Sequence, residues 1–458
     1  MTNDNQNSSI EARFVALEQA IGLIVEAQKN AVAVTQETAK KAALQERSAA
    51  ALRIRRGFEE ASKIYPKSRT VIFVARECGG DGRVEYFGDN IKYAYLAFLE
   101  KAHAEDAACY FLTDSERLHK QLSDAGLPCL PWFVPDWTAE HMRILLSAKT
   151  AVLCNLFYPV DERGFIPWAL LRGAKFIQLW HGIPLKAIGM EQLYPAAAYH
   201  PRIAEVLGAS GLYDVLVGTA KAQQGEWARR FPSRHYAPIG YPRNDALFRE
   251  PSAHDMINVD VESYKLVESA AREGKKVILY APTFRDGEFG TWFQRAGMEA
   301  VAEHCHARGY ILTVNLHPFE GRYIEEFRGR YPRIYFIAPL TDIYPLLRHV
   351  NIFVTDYSSL AFDFLLLDRP IIFYRPDHTD YIAKSRPLIA RHEDYLCGDV
   401  AQDTAVLIKA IDAATSGNDA RRAARQALRQ KLYDHADGKA AERLNQLILE
   451  ALDSSDIN

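Results

Sequence analysis

Hydrophobic and polar positions divide this chain into three regimes. From Ile10 to about Ile64 it is rich in Ala, Glu, Gln and Lys, with no proline before Pro66, which predicts one long helix or two broken ones. Within that stretch Ile10, Phe14, Leu17, Ile21 and Ile24 recur at a 4-3-4-3 spacing, the seam of a coiled coil. The same register then meets Gln28, Ala31, Thr35 and Thr38, and the seam weakens. Arg53, Arg55 and Arg56 would serve a membrane-surface helix instead, but acidic residues interleaved along the segment favour self-association.

From Thr70 the pattern changes to short apolar runs that end in polar turns. Residues 70–75, 107–112, 150–153, 175–179 and 215–218 read as strands, with helical stretches such as 91–103 between them. A second series follows at 277–280, 311–316, 334–337, 352–354 and 371–373. Alternation of this kind predicts α/β architecture: two doubly wound, Rossmann-like domains in a GT-B-like arrangement, with a cleft between them and a helical N-terminal extension. The expected divisions are 1–66, 67–245, 246–400 and a helical tail at 401–458. Arginines between Arg421 and Lys431 fall on several helix faces and read as a solvated, salt-bridged surface.

Composition narrows the classes. A net charge of −3 over 458 residues, 25% of them charged, gives no support for a nucleic-acid partner. The N-terminus MTNDNQNSS has neither a basic nor an apolar signal region, and no run reaches the ~18 apolar residues of a membrane span, so a cytoplasmic location is expected. Six scattered cysteines contain no CxxC pair, and His304-Cys305-His306 reads as a helix face rather than a metal site. Gly79-Gly80-Asp81-Gly82 lacks the GxGxxG spacing and reads as an ordinary loop.

The stretch Asn351 to Tyr374 carries the clearest chemistry. An apolar run, the polar turn Thr355 to Ser359, a mostly apolar helix at 360–367 and a second apolar run describe strand, turn, buried helix and strand. A strand that feeds Ser358 and Ser359 into a helix start offers backbone N–H groups and two hydroxyls to a phosphate oxygen; plain N-capping by serine is the alternative. His181 ends another strand before Gly182, and His317 ends a third in Asn315-Leu316-His317-Pro318. Two strand-end histidines and a phosphate cradle are an inventory for phosphoryl transfer without a metal; Asp356 and Asp363 are the carboxylates close enough in sequence to hold one.

The strings WHGIPLKAIG (180–189), IGYPRND (239–245), YAPTFRD (280–286), LHP (316–318) and VTDYSSLAFDF (354–364) resemble the CDP-glycerol glycerophosphotransferase family of teichoic-acid and capsule polymer enzymes. FGDN (87–90) is a weaker sixth match. The resemblance covers roughly residues 70 to 400. It implies transfer of glycerol phosphate, or another polyol phosphate, from a CDP-activated donor to an acceptor hydroxyl with release of CMP, and it implies no cofactor. By the same resemblance residues 67–245 form the acceptor side and 246–400 the donor-nucleotide side, with His181 as catalytic base and His317 against the donor pyrophosphate. Donor contacts map onto Gly182, Ile183, Pro184, Leu185, Arg243, Pro282, Thr283, Asn315, Leu316, Ser358 and Ser359, with Asp363 on polyol hydroxyls. Arg243 suits a forked grip on phosphate.

Ile183 stands where the family usually has a small hydroxyl residue, and Phe284 where tryptophan is common. The implied partners are a CDP-polyol donor, a lipid-linked or oligosaccharide acceptor, the inner face of the cell membrane as a peripheral contact, and further copies of the chain through its N-terminal helix. A GT-B glycosyltransferase using a nucleotide sugar and a non-catalytic assembly subunit are the rival classes.

Overall fold

The computed structural model describes residues 53–75, 86–131, 138–154, 165–190, 213–285, 291–384, 388–389 and 392–454. The coiled-coil seam at Ile10 to Ile24 and the loop Gly79 to Gly82 lie outside the described residues. The chain divides into two compact units, residues 1–58 and 59–458. Residues 53–58 of the first are helical, and everything below belongs to the second.

Two parallel sheets form this second unit. The first contains β1 (Ser68–Val74), β2 (Ala108–Thr113), β3 (Cys129–Pro131), β4 (Ala148–Leu153), β5 (Lys175–Gln178), β6 (Tyr213–Val217) and β7 (Ser233–Ala237). They are ordered β3-β2-β1-β4-β5-β6-β7. The second contains β8 (Val277–Ala281), β9 (Ile311–Val314), β10 (Tyr335–Phe336), β11 (Ile352–Thr355), β12 (Ile371–Tyr374) and β13 (Asp399–Ala401), ordered β10-β9-β8-β11-β12-β13. Central strands are continuous apolar runs because helices cover both faces; Val71 to Val74 and Val277 to Tyr280 are fully buried.

The chain order reverses between β1 and β4 in one sheet and between β8 and β11 in the other. Crevices open at the carboxyl ends of strands at such reversals.

Four helices position the site: α1 (Asp89–Ala102), α2 (Leu360–Phe364), α3 (Arg422–Leu432) and α4 (Ala440–Asp453). The run expected to be helical over 360–367 is five α-helical residues followed by a 3-10 turn, Leu365–Leu367. The tail beyond 401 is shared between the halves. Helix Thr404–Thr415 packs on the second sheet, and α4 returns to the first half, where Asn445 Nδ2 donates to the Ala97 carbonyl at 3.0 Å.

The halves are also joined through α1. Lys92 Nζ is fully buried and donates to Asp342 Oδ2 at 2.8 Å and to the carbonyls of Asp255 and Ile257. Tyr93 OH donates to the same Asp342 oxygen at 2.8 Å.

Candidate functional site

The polar turn after β11 sits at the reversal in the second sheet, where Asp356, Tyr357, Ser358 and Ser359 lead into α2. Asp356 Oδ1 accepts from Thr283 N at 2.9 Å and Thr283 Oγ1 at 3.0 Å, tying this turn to the one after β8. Arg285 donates through Nη1 to Asp356 Oδ2 at 2.8 Å and grips Asp377 with Nε and Nη2 at 2.7 and 3.0 Å. Burial opposes the Arg285 charge, but Asp356 and Asp377 outweigh it and hold its pKa above the usual arginine value. Trp292 and Tyr381 lie against the guanidinium, at 4.2 and 4.5 Å. Burial pushes the Tyr357 phenol up to about 12, and its hydroxyl lies 2.7 Å from His378 Nδ1, whose own pKa burial lowers.

Ser358 Oγ accepts the Leu360 N–H at 3.3 Å, while Ser359 takes the N-cap position without a side-chain cap bond. His317 follows β9, its ring centroid 4.4 Å from that of Phe284. The order β9-β8-β11 thus sets His317, Thr283 and Ser358 side by side along one sheet edge, spanning about 10 Å at ~4.8 Å per strand.

His181 follows β5 in the other half. Its Nδ1 lies 3.2 Å from the Cys154 carbonyl oxygen. A carbonyl only accepts, so Nδ1 carries the proton and Nε2 holds the basic lone pair. The ring stacks on Trp180 at 4.0 Å. Trp180 adopts a left-handed backbone, φ 55°, sustained by Gln178 Oε1, which accepts its N–H at 2.9 Å, and by Asn90 Nδ2, which donates to its carbonyl at 2.9 Å.

Gly182 brings the halves together. Its φ is 127°, and a Cβ there would lie 2.7 Å from Arg243 Nη2 and 3.5 Å from Ser359 Oγ. Arg243 is buried behind it. Its Nη1 donates to Asp89 Oδ1 at 2.6 Å and to the His181 carbonyl at 2.9 Å, and its Nη2 donates to Asp363 Oδ2 at 2.6 Å. Burial works against this charge, yet Asp363 and Asp89 keep its pKa well above the ordinary arginine value.

Asp363 is 1% exposed and also accepts from Tyr344 OH at 2.7 Å and Tyr433 OH at 3.2 Å, phenols that burial keeps protonated. The expectation of a phosphate fork at Arg243 and a polyol contact at Asp363 therefore takes a different form here. Both Nη groups and the carboxylate are engaged with each other and with their neighbours. This seam carries the His181 backbone and anchors α2.

The remaining expected donor contacts divide by burial. Ile183, Leu185 and Leu316 have side chains in the hydrophobic cores, and Pro184 and Pro282 are buried. Thr283, Asn315, His317, Ser358 and Ser359 are half-buried at the strand ends. Asp89 and Asn90 are marked in the sequence only by the string FGDN, and the Arg285 clamp is built from residues inside or beside the other strings, with no signal of its own. Tyr344 and Tyr433 carry no sequence signal. His304 Nε2 pairs with Asp412 Oδ1 at 2.9 Å, and no group of three or more metal-ligating side chains occurs among the described residues.

The model of a family described as CDP-glycerol:poly(glycerophosphate) glycerophosphotransferase matches residues 86–450. The chain is 27% identical over 290 residues to a teichoic acid ribitol-phosphate primase of Bacillus spizizenii, covering 61% of this chain and 70% of that protein. It is 26% identical over 279 residues to the teichoic acid ribitol-phosphate polymerase TarL of Staphylococcus aureus, covering 60% of this chain and only 47% of that longer protein. A solved structure of the wall teichoic acid polymerase TagF, a variant form, superposes with a TM-score of 0.65 at 18% identity, over 89% of this chain and 96% of that one. At that identity the likeness bears on the fold alone.

Proposed function

The chain belongs to the CDP-glycerol:poly(glycerophosphate) glycerophosphotransferase family, and we propose that it moves a polyol phosphate, glycerol phosphate first of all, from a CDP-activated donor to an acceptor hydroxyl in cell-wall polymer synthesis, releasing CMP. The observation that carries this reading is the approach of Gly182 to Ser359. It brings the loop after β5, in which His181 stands next to Gly182, up to the serine turn of the other half.

The acceptor oxygen attacks the phosphorus bonded to the polyol and its proton passes to His181 Nε2. The new P–O bond forms as the bond to CMP breaks, and CMP departs with the electron pair. Negative charge grows on the departing phosphate, which His317, Ser358, Ser359 and the backbone N–H groups of the turn would stabilise. Arg243 acts one step back: through the His181 carbonyl and Asp363 it fixes the base relative to α2. Arg285 does the same for the serine turn through Asp356.

The test incubates the protein separately with CDP-glycerol, CDP-ribitol and sugar nucleotides, with a polyol-phosphate acceptor, and follows CMP. Release from CDP-glycerol in excess of the other two supports the reading. Release from CDP-ribitol alone would change the polyol, and turnover of a sugar nucleotide alone would replace the reading with glycosyl transfer.

The seam at Ile10 to Ile24 supports self-association, and a lipid-linked acceptor would bring the protein to the inner membrane face as a peripheral contact. Light scattering of the full chain is expected to show an oligomer that Leu17→Asp with Ile21→Asp reduces to a smaller species; an unchanged mass in that variant would remove the seam from the account.

A further inference from the structure

A cavity of about 770 Å³ opens at the end of the first sheet opposite His181. It lies across the amino ends of β4, β5, β6 and β7, four neighbouring strands, and the last turns of α4 close one side. Lys175 opens β5 (Lys175–Gln178), and His181 lies beyond the strand's other, carboxyl end. This is therefore a separate place from the reaction site.

Its lining is predominantly cationic. Lys63, Lys149, Arg172, Lys175 and Arg234 face two carboxylates, Asp214 and Glu450. Two of these cations have carboxylate partners: Arg234 Nε lies 3.7 Å from Asp214 Oδ1, whose Oδ2 accepts the Phe176 N–H at 2.8 Å, and Lys63 pairs with Glu60 at 2.7 Å; Glu450 accepts from Gln446 at 3.3 Å. Lys175 Nζ donates to the neutral hydroxyl of Ser454, and neither Lys149 nor Lys175 has a carboxylate partner among the described residues.

The walls are fixed. Arg172 is laid over the rings of Trp168 and Phe176, at 4.7 and 5.5 Å. The turn behind it is pinned because Gly173 N donates to Ser62 Oγ at 2.9 Å while that hydroxyl donates to the Leu170 carbonyl. Val215 and Leu447 add apolar surface.

Five cations against two lining carboxylates leave an excess of positive charge centred on Lys149 and Lys175, and a bound anion relieves its self-repulsion. A volume within the usual range for small-molecule sites exceeds what one inorganic phosphate fills, and lysine and arginine together suit phosphoryl oxygens. We propose that this cavity is a second binding site, for an organic anion bearing one or more phosphates, separate from the transfer site. Such a group could arrive on a free metabolite or as the headgroup of a membrane lipid, and the same cations would hold either.

The experiment uses the full chain with CMP present to occupy the donor cleft. Fructose 1,6-bisphosphate and inorganic tripolyphosphate are titrated calorimetrically, and flotation is measured with phosphatidylcholine vesicles that contain or lack phosphatidylglycerol. Binding of a soluble phosphate identifies a free ligand; binding only to the phosphatidylglycerol vesicles identifies a headgroup.

In either case Lys149→Glu with Lys175→Glu is expected to weaken binding by at least about tenfold, Lys149→Arg is expected to retain it, and donor turnover is expected to stay unchanged. Should the double variant unfold, Arg234→Glu, whose side chain is 65% exposed, is expected to weaken the same binding severalfold. The proposal is overturned if the wild-type protein binds neither kind of probe, or if folded charge-reversal variants bind as well as wild type.

Discussion

Trp180 holds a left-handed backbone that costs a non-glycine residue of order 1–3 kcal/mol, and Gly182 two positions on lies at φ 127°, where side chains are rarely tolerated. Between them His181 is aimed by backbone strain that Asn90, Gln178 and Arg243 sustain. His181→Ala should lower turnover by about 10²–10⁴-fold, the usual contribution of a general base, with donor affinity little changed. Single-turnover rates alongside donor binding measure both; weak donor binding with near-normal turnover would make His181 a binding residue.

Gly182→Ala tests the setting rather than the group. Its Cβ would meet Arg243 Nη2 at 2.7 Å in a conformation alanine resists, so turnover should fall more than about tenfold with His181 intact. Wild-type turnover in that variant would mean that the loop relaxes without consequence.

Strand-end histidines and the paired serines were legible at this scale because turn chemistry is local. What Arg243 and Asp363 do was not. A guanidinium in a PRND string reads as a phosphate fork until the fold brings two carboxylates, 154 and 120 residues away in sequence, onto it.

Elements were legible where they were central. The strands the pattern missed, β3, β7 and β13, are all sheet edges, where one side needs no apolar cover. Ser233-Arg234-His235-Tyr236-Ala237 shows no hydrophobic alternation, and Pro131 is tolerated in β3 for the same reason.

Asp245 is the case where an element's end depends on a distant residue. Its carboxylate accepts the N–H groups of Ala440 at 3.0 Å and Ala441 at 2.8 Å, capping α4 from another part of the chain. Burial pushes this carboxyl up to about 6, against the pull of those two N–H groups. A folded-state pKa above the unfolded value of ~3.9 means that its contribution is greatest in acid and is lost as pH rises from about 4 to 6. Two units correspond to about 3 kcal/mol at most. In Asp245→Asn that dependence disappears, so the variant should gain stability relative to wild type between pH 4 and pH 6, read by urea denaturation at both values. A stability difference that stays flat with pH would show that the carboxyl titrates normally.

At the scale of the molecule, the parallel sheets were predictable from alternation, but how firmly their halves are joined was not, because the joining groups are isolated charges in otherwise ordinary stretches. Lys92 meets Asp342, Asp255 and Ile257 across 250, 163 and 165 residues; Arg243 meets Asp363; α4 crosses from the tail to the first half. The ion pair Lys92–Asp342 is fully buried, and removing one member of such a pair typically costs about 3–5 kcal/mol because the other is left uncompensated. A cleft enzyme that closed by rotating its halves would have to break these contacts at each turnover. We expect instead that closure is confined to loops and side chains at the strand ends. Spin labels on exposed Lys120 and Glu303, one on each half, should therefore report the same separation with and without CDP-glycerol. Lys92→Ala should both lower stability by that amount and broaden the distance distribution. A donor-induced shortening in the wild-type protein would show that the seam opens and re-forms, and that the transfer site is completed by movement of whole halves.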